Sequence, residues 1–206
     1  MRKFYPKLTS YYKGLFLNEE ILIAQLKTGE SSAFKYIVET HKGLVYNASL
    51  GILQNTTDAE DLTQEVFIQV FHSVKEFKGD CKFSTWLYRI TVTKSLDFLR
   101  AKKRKKRFGF MQSLFGEESN EPLVEQVTFV HPGVQLENKE RATILFKAIN
   151  ELPENQKIAF TLNKVEGLSY REIAEVMQIS VSSIESLLFR ARSNLQKYLG
   201  DYYKKG

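Results

Sequence analysis

Residues that could bind a polyanion are concentrated in one short stretch of the chain. Between Arg100 and Arg107, seven of eight residues are Lys or Arg and none is acidic. Such a cluster attracts phosphate groups and releases their counterions on binding. A solvated helix end with favourable dipole placement is the alternative. The whole chain carries a formal net charge of +6, so without these seven cations the remainder sums to −1.

A second pattern, over residues 167–195, predicts a helix-turn-helix. Ser169 and Glu172 have the spacing of a capping box, and Ser180 suits the N-cap of the next helix. Between them, Gln178-Ile179 is the predicted turn, and Ala174 is small enough to let the second helix approach closely. The predicted inward positions of both helices are Ile173, Ala174, Met177, Ile184, Leu188, Ala191 and Leu195.

The outward face of the second helix offers groups that can read duplex DNA. Serines can contact phosphates or bases, Phe189 a thymine methyl, Arg190 a guanine and Glu185 a cytosine amino group. A helical hairpin with a serine-rich exposed face is the alternative interpretation. The predicted outward residues are Ser182, Ser183, Glu185, Ser186, Phe189 and Arg190.

The elements that must position these residues are helices. Apolar residues recur every three or four positions, and only four prolines interrupt 206 residues. We therefore predict an all-α fold of two small helical domains joined by a flexible linker. The first domain would contain helices near 19–27, 31–53, 59–77 and 83–106, the third opened by a capping box of Thr57 and Glu60. The predicted boundaries are an N-terminal extension 1–18, domains 19–107 and 137–206, and a linker 108–136.

The composition disfavours several classes of protein. The single cysteine, Cys81, excludes a disulfide within the chain. His41, His72 and His131 are far apart in sequence, and neither a metal-ligand spacing nor a nucleophile motif occurs. We therefore expect no enzyme activity, no metal and no cofactor. Without a signal peptide or a span-length apolar stretch, the expected location is the cytoplasm.

Several motifs, in order, resemble the extracytoplasmic-function (ECF) sigma factors of the sigma-70 family. The resemblance covers most of residues 19–200 and includes both predicted domains. In the first domain it rests on residues 58–67, 77–80, 83–90 and 96–100, and in the second on 152–153, 166–169 and 190–192. It implies an alternative sigma factor that binds core RNA polymerase and directs promoter recognition, DNA melting and transcription initiation.

The resemblance assigns a polymerase-binding role to the start of the third helix. Leu62, Val66, Val70 and Val74 have the spacing of a core stripe, and polar residues lie off it. A solvated acidic helix start is the alternative. The implied polymerase-binding residues are Asp58, Asp61, Gln64 and Glu65.

The segment 77–85 and the helix after it match the part of the family that captures the minus-ten promoter element. A flipped base needs apolar walls and a few hydrogen-bonding groups. On the following helix, Tyr88, Val92, Leu96 and Leu99 have the spacing of a core stripe, and for Trp86 core packing is the alternative role. The implied minus-ten residues are Phe77, Lys78, Asp80, Lys82, Phe83, Ser84, Trp86, Arg89, Thr93, Arg100, Lys103 and Arg104.

The six outward residues of the second domain would read the minus-thirty-five element. On the minus-ten helix, many relatives have Asn at the position of Thr93. On the second helix of the helix-turn-helix, many have a basic residue at Glu185 and Arg at Leu187, so this helix carries less positive charge than in those relatives. We therefore expect weaker phosphate affinity and a different minus-thirty-five preference here. Implied partners are bacterial core RNA polymerase, promoter DNA and an anti-sigma factor, which in the family is often membrane-anchored.

Two other kinds of protein share some of these features. A stand-alone helix-turn-helix regulator would bind duplex DNA tightly without polymerase, and a pure interaction protein would bind polymerase without reading DNA. The apolar residues of the predicted linker could pack on a partner or on their own domain. Cys81 is either a redox handle or an incidental small residue.

Overall fold

The computed structural model describes residues 19–114 and 139–205, which are almost entirely helical and contain no strand. This confirms the predicted all-α fold. The N-terminal extension, residues 115–136 of the predicted linker and residues 137–138 at the start of the second predicted domain lie outside the described residues. The helices are α1 (Glu19–Lys27), α2 (Ser31–Leu53), α3 (Thr56–Ser73), α4 (Phe83–Leu114), α5 (Lys139–Asn150), α6 (Glu154–Lys164), α7 (Tyr170–Met177) and α8 (Val181–Lys205), with a 3₁₀ turn at Val74–Glu76.

Helices α1–α4 form the first unit around an apolar core. The predicted stripe of α3 is confirmed, because Leu62, Val66, Val70 and Val74 are all buried. The predicted capping box of α3 is wrong: the helix begins one turn earlier, and the Asn55 side chain accepts from the Asp58 backbone N–H at 2.8 Å. Asparagine is a better N-cap than threonine, and the sequence offered both, two residues apart, at Asn55 and Thr57.

Helix α4 is longer than predicted and continues through Leu114. The basic octet lies on this helix, and all seven of its cations are exposed. The start of α4 is held from outside the helix, because the Phe83 backbone N–H donates to the Glu19 carboxylate at 3.0 Å. This contact joins α1 to the first turn of α4 and fixes the helix relative to the rest of the unit.

Helices α5–α8 form the second unit, in which α7 and α8 make the predicted helix-turn-helix. Ser169 and Glu172 form the capping box of α7, and Ser180 Oγ accepts from the Ser183 N–H at 3.2 Å. The chain turns at Gln178, whose φ of 55° lies in the left-handed region. The predicted inward positions of α8, which are Ile184, Leu188, Ala191 and Leu195, are all buried.

The two units pack directly on each other through one apolar cluster. Ala48 and Ile52 of α2 and Tyr88 and Val92 of α4 meet residues of α6, α7 and α8. The residues from the second unit are Ile158, Ala159, Leu162, Ile173, Ala174, Val176, Ile184 and Leu188. Tyr88 and Val92 are therefore buried as predicted, but largely by the second unit instead of by their own domain.

Within the described residues, no helix combines the length and the apolar character needed to cross a membrane.

Candidate nucleic-acid and polymerase interfaces

The outer face of α8 carries all six residues predicted to read the minus-thirty-five element. Every one of them is exposed, and Phe189 is the most open large apolar side chain of the described residues at 72%. The adjacent Leu188 is only 1% exposed. Because neighbours on a helix point about 100° apart, the buried residues fix the rotation of α8 and turn the other face outward. The face consists of Ser182, Ser183, Glu185, Ser186, Phe189 and Arg190.

The helix before it, α7, is held by a strong local cap. The Glu172 carboxylate accepts from the Ser169 N–H at 3.0 Å and from its hydroxyl at 2.8 Å. These hydrogen bonds favour the charged carboxylate and hold the pKa of Glu172 below its usual range. The cap therefore keeps the start of α7 rigid and places a negative charge there.

The predicted base-capturing segment contains an aromatic cluster that belongs to the core. Phe77 and Phe83 are 4% and 1% exposed, and the half-buried Trp86 ring lies 5.1 and 5.5 Å from their ring centroids. Side chains this buried support the surface and do not form it. The polar residues of the segment, Lys78, Asp80 and Lys82, are exposed, and Ser84 is partly buried.

Three of the cations predicted to contact minus-ten DNA instead contact the second unit. Arg89 Nε donates to the Glu175 backbone carbonyl at 2.9 Å, and Lys103 Nζ donates to the Glu154 carboxylate at 2.6 Å. Lys82 Nζ lies 3.7 Å from the Glu172 carboxylate.

The other predicted minus-ten residues of α4 lie on an open part of the helix. Thr93, Arg100 and Arg104 are exposed, and Arg100 pairs with Asp97 of the same helix at 3.2 Å. Between the units, an open groove of about 1050 Å³ is lined by Trp86, Arg89, Thr93 and Arg104 from α4 and by residues of α6 and α7. Four of the predicted contacts of α4 thus face one groove that both units border.

The acidic start of α3 divides into one mostly buried residue and three exposed ones. The Asp58 carboxylate is mostly buried and accepts from Lys102 Nζ at 3.0 Å, which joins α3 to the basic octet. Asp61, Gln64 and Glu65 are exposed, and Glu65 lies 3.5 Å from Lys94 Nζ. Asp58 is therefore used within the unit, whereas the other three residues face outward.

Two apolar residues on α3 extend this surface and were missed in the sequence. Ile68 and Phe71 are 58% and 53% exposed, and they follow Gln64 by four and seven residues, so they lie on the same side of the helix. Phe71 packs edge-on against Phe34 of α2 at 5.4 Å. The signal was present in the helical spacing, but apolar residues in an amphipathic helix are ordinarily assigned to the core.

Two family models match the chain in the order that the motifs predict. The sigma-70 region 2 model matches residues 37–105, which lie within α2–α4. The sigma-70 region 4 model matches residues 142–195, which extend from α5 into α8.

Curated relatives match nearly the whole chain. An ECF RNA polymerase sigma-E factor of Haemophilus influenzae is 32% identical over 185 residues, which cover 87% of this chain and 94% of the relative. The ECF RNA polymerase sigma-E factor of Escherichia coli K12 is 32% identical over 178 residues, covering 85% and 91%.

Solved structures share the fold. CnrH in complex with the cytosolic domain of CnrY has a TM-score of 0.62 at 22% identity and covers 89% of this chain and 97% of its own. The sigma factor RpoE of Bartonella quintana, solved with the anti-sigma factor NepR, has a TM-score of 0.58 at 21% identity and covers 81% and 96%. With family models in both units and relatives that match along nearly their full length, the chain belongs to the ECF RNA polymerase sigma factors of the sigma-70 family.

Proposed function

We propose that this sigma factor binds core RNA polymerase through α3, contacts the minus-ten element through α4 and the segment before it, and reads the minus-thirty-five element through α8. The exposed outer face of α8 carries the proposal, because a polar, groove-compatible surface on a rigidly capped helix-turn-helix is suited to duplex DNA. Membership of the sigma family makes transcription initiation the setting in which that DNA is read.

The proposed polymerase-binding surface of α3 consists of Asp61, Gln64, Glu65, Ile68 and Phe71. An exposed apolar pair beside acidic residues is typical of a protein-binding surface, in which buried apolar side chains supply affinity and charges steer the approach. Asp58 does not belong to the surface, since its carboxylate is engaged by Lys102 within the same unit. We propose that Asp58 positions α3 against α4.

For the minus-ten element, the proposed contacts are the polar residues of the loop and the open side of α4. Phe77 and Phe83 are buried and would act only as support beneath the loop. Half-buried Trp86 borders the groove and can offer the edge of its ring to an unstacked base. The proposed contacts are Lys78, Asp80, Lys82, Ser84, Trp86, Arg89, Thr93, Arg100, Lys103 and Arg104.

An anti-sigma factor is the proposed regulatory partner. The two structural relatives were solved with the cytosolic domain of CnrY and with the anti-sigma factor NepR. In this chain, the exposed apolar pair on α3 would be a suitable target, because covering it would block polymerase binding and bury apolar area in one step. A membrane-anchored partner would hold the chain at the cytoplasmic face until its release.

The decisive experiment is reconstitution with bacterial core polymerase, followed by in vitro transcription of genomic DNA and mapping of start sites. A sigma factor should generate discrete starts with a shared pair of upstream elements. A stand-alone helix-turn-helix regulator would instead occupy specific duplex sites tightly without polymerase and generate no starts. That second outcome would refute the proposed function.

The polymerase-binding surface is tested with Phe71→Ala. We expect the free energy of binding to core polymerase to become about 2 kcal/mol less favourable, which is the usual threshold for a residue that dominates an interface. Lys35→Ala on α2 is the matched control, because Lys35 is also exposed and lies outside the proposed surface. Equal affinities of the two variants, measured by fluorescence anisotropy, would remove Phe71 from the surface.

A further inference from the structure

The residue at the start of α4 cannot cap the helix. The first hydrogen bond of the helix runs from the Trp86 N–H to the Lys82 carbonyl at 3.1 Å, which places Lys82 at the N-cap position. The lysine side chain offers no acceptor to the unpaired N–H groups of a first helical turn. A residue of another helix supplies the acceptor instead, because the Glu19 carboxylate accepts from the Phe83 N–H at 3.0 Å. Helix α4 is therefore capped from a position 64 residues earlier in the chain.

The helix that carries Glu19 is anchored in the core of the first unit. Leu22 and Leu26 of α1 are each 5% exposed and belong to the same apolar cluster as Phe77 and Phe83. Leu22 follows Glu19 by three residues, so the two lie on the same side of α1. A carboxylate also interacts favourably with the positive end of a helix dipole. The position of α1 and the charge of Glu19 therefore both favour the contact with α4.

Phe83, whose N–H receives this cap, is the centre of the aromatic cluster beneath the predicted base-capturing segment. Its ring is 1% exposed and lies edge-on to Phe77 and to His41 of α2, with centroids 5.7 Å apart in each pair. The half-buried Trp86 ring lies 5.5 Å from it. Because interiors are close-packed, a shift of Phe83 would be transmitted to Trp86, the ring proposed to meet an unstacked base.

We propose that Glu19 is a positioning residue for minus-ten recognition: by capping Phe83 from α1, it fixes the start of α4 and, through it, the Trp86 ring. The role rests on the proposed function, because it matters for initiation only if α4 and the segment before it engage the minus-ten strand. Glu19 touches no DNA and acts through the Phe83 backbone. Helix α1 carries none of the proposed polymerase or DNA contacts, yet it thereby takes part in strand capture.

Trp86 reports on this arrangement directly, because it is the only tryptophan of the chain. Glu19→Ala removes the acceptor, so the emission of Trp86 in the full chain should shift to longer wavelength and its quenching by acrylamide should rise. Glu19→Gln keeps an oxygen acceptor without the charge and should shift the emission less. Glu20→Ala is the matched control, since it removes an equal charge from the same turn of α1. An unchanged emission in Glu19→Ala, or an equal shift in Glu20→Ala, overturns the positioning role.

The functional consequence is measured with holoenzyme reconstituted from core polymerase and each variant, on a mapped promoter. The ratio of open to closed promoter complexes should fall on the order of fivefold in Glu19→Ala, the factor by which loss of one helix cap changes an equilibrium constant. Affinity for core polymerase and initial binding to the promoter duplex should match those of Glu20→Ala, because α3 and α8 are unchanged. A residue that only stabilises the fold would lower all three together.

A promoter whose minus-ten segment is already unpaired by mismatches separates strand capture from strand separation. On this template the affinity of the Glu19→Ala holoenzyme should still be weaker on the order of fivefold, since the Trp86 ring is displaced whether or not the bases are paired. Full recovery of affinity on the mismatched promoter overturns the placement of Trp86 by Glu19.

The remaining outcomes separate failure of the positioning role from failure of the proposed function. An open-complex ratio that is unchanged in Glu19→Ala, despite a shifted Trp86 emission, overturns the positioning role and leaves the sigma function intact. Equal losses in polymerase binding, duplex binding and open-complex formation also overturn it, because they indicate a general effect on the fold. If the parent chain itself forms no open complex with core polymerase, the proposed function fails and the positioning role fails with it.

Discussion

The two helices proposed to contact promoter DNA differ in how much of their reading surface is accessible. On α8, the six outward residues are exposed, and Phe189 reaches 72%. On α4, Tyr88 and Val92 are buried by the second unit, and Arg89 and Lys103 are hydrogen-bonded to it. The proposed minus-thirty-five surface is thus open, whereas the proposed minus-ten surface is partly covered by the second unit.

This difference means that the two proposed DNA contacts are unequally accessible. Duplex recognition by α8 needs no rearrangement, because its inward face is buried within the second unit and against the first while its outward face stays open.

Replacing Leu188 with alanine should have the largest effect on this comparison. Leu188 is 1% exposed and contributes to the cluster that both units share, so the cavity should cost about 2–5 kcal/mol of unfolding free energy. Phe189→Ala, one residue along, is the control and should leave stability within about 0.5 kcal/mol. Chemical denaturation of both variants checks this, and comparable losses would mean that the rotation of α8 is wrong.

The two residues also show what the sequence could predict. The period of 3.6 on α8 was enough to separate Leu188 from Phe189, because the polar residues between the apolar ones leave one possible inward face. The same reasoning found the stripe of α3 and the capping box at Ser169. These features depend on local spacing and on short-range hydrogen bonds, which the sequence contains in full.

Other features depended on contacts that spacing does not specify. The stripe at Tyr88 and Val92 predicted burial correctly, but a helical period does not say which partner covers a face. Gly51 gave no signal, since Thr161, the residue that packs against it, lies 110 positions later. Ile68 and Phe71 were overlooked because an apolar residue on an amphipathic helix is assigned to the core until packing shows otherwise, and Asn55 competed with Thr57 as the cap.

Glu185→Lys tests whether the exposed face of α8 contacts DNA. Glu185 is exposed on the reading face, and a lysine there would add one cation near the phosphates while removing an acceptor for a cytosine amino group. We expect the salt dependence of minus-thirty-five duplex binding to steepen by about 0.9 in the logarithmic slope, with base preference changing locally by about 1 kcal/mol. Titrations at several salt concentrations measure the slope.

The matched change is Ser186→Ala, which lies on the same face and alters no charge. It should leave the salt slope unchanged. If Glu185→Lys leaves both the slope and the preferred sequence unchanged, Glu185 does not face DNA in the complex.

The smallest expected effect concerns α4, the helix that the second unit partly covers, and depends on pH. Burial raises the pKa of the Glu166 carboxyl, because its charged form is poorly solvated between the units, while the hydrogen bond that the Tyr88 hydroxyl donates to it at 2.7 Å opposes this in part. Packing of the two units on each other therefore favours the protonated carboxyl. The packing of the two units should be most stable below the usual carboxyl pKa, and its stability should fall as pH rises through the raised pKa of Glu166.

The other ionisable groups near this contact do not reverse that sign. Burial and the Glu166 hydrogen bond raise the pKa of Tyr88, so it remains protonated through neutral pH. The hydrogen bonds from Ser169 lower the pKa of Glu172, which is the opposite direction to that of Glu166. Lys82 and Arg89 contact the second unit nearby.

Glu166→Gln isolates the contribution of this one carboxyl. Glutamine can still accept from the Tyr88 hydroxyl but carries no charge. It should therefore stabilise the packing of the two units at neutral pH by roughly 1 kcal/mol and flatten the pH dependence of that packing. Distances between spin labels at the exposed Lys35 and Arg171, one on each unit, in a chain whose Cys81 is replaced by serine, check both effects between pH 4 and 8. The packing of the units could instead weaken in this variant, or keep the pH profile of the parent chain. Either result would mean that Glu166 stays ionised when the units pack and that another group sets the pH dependence.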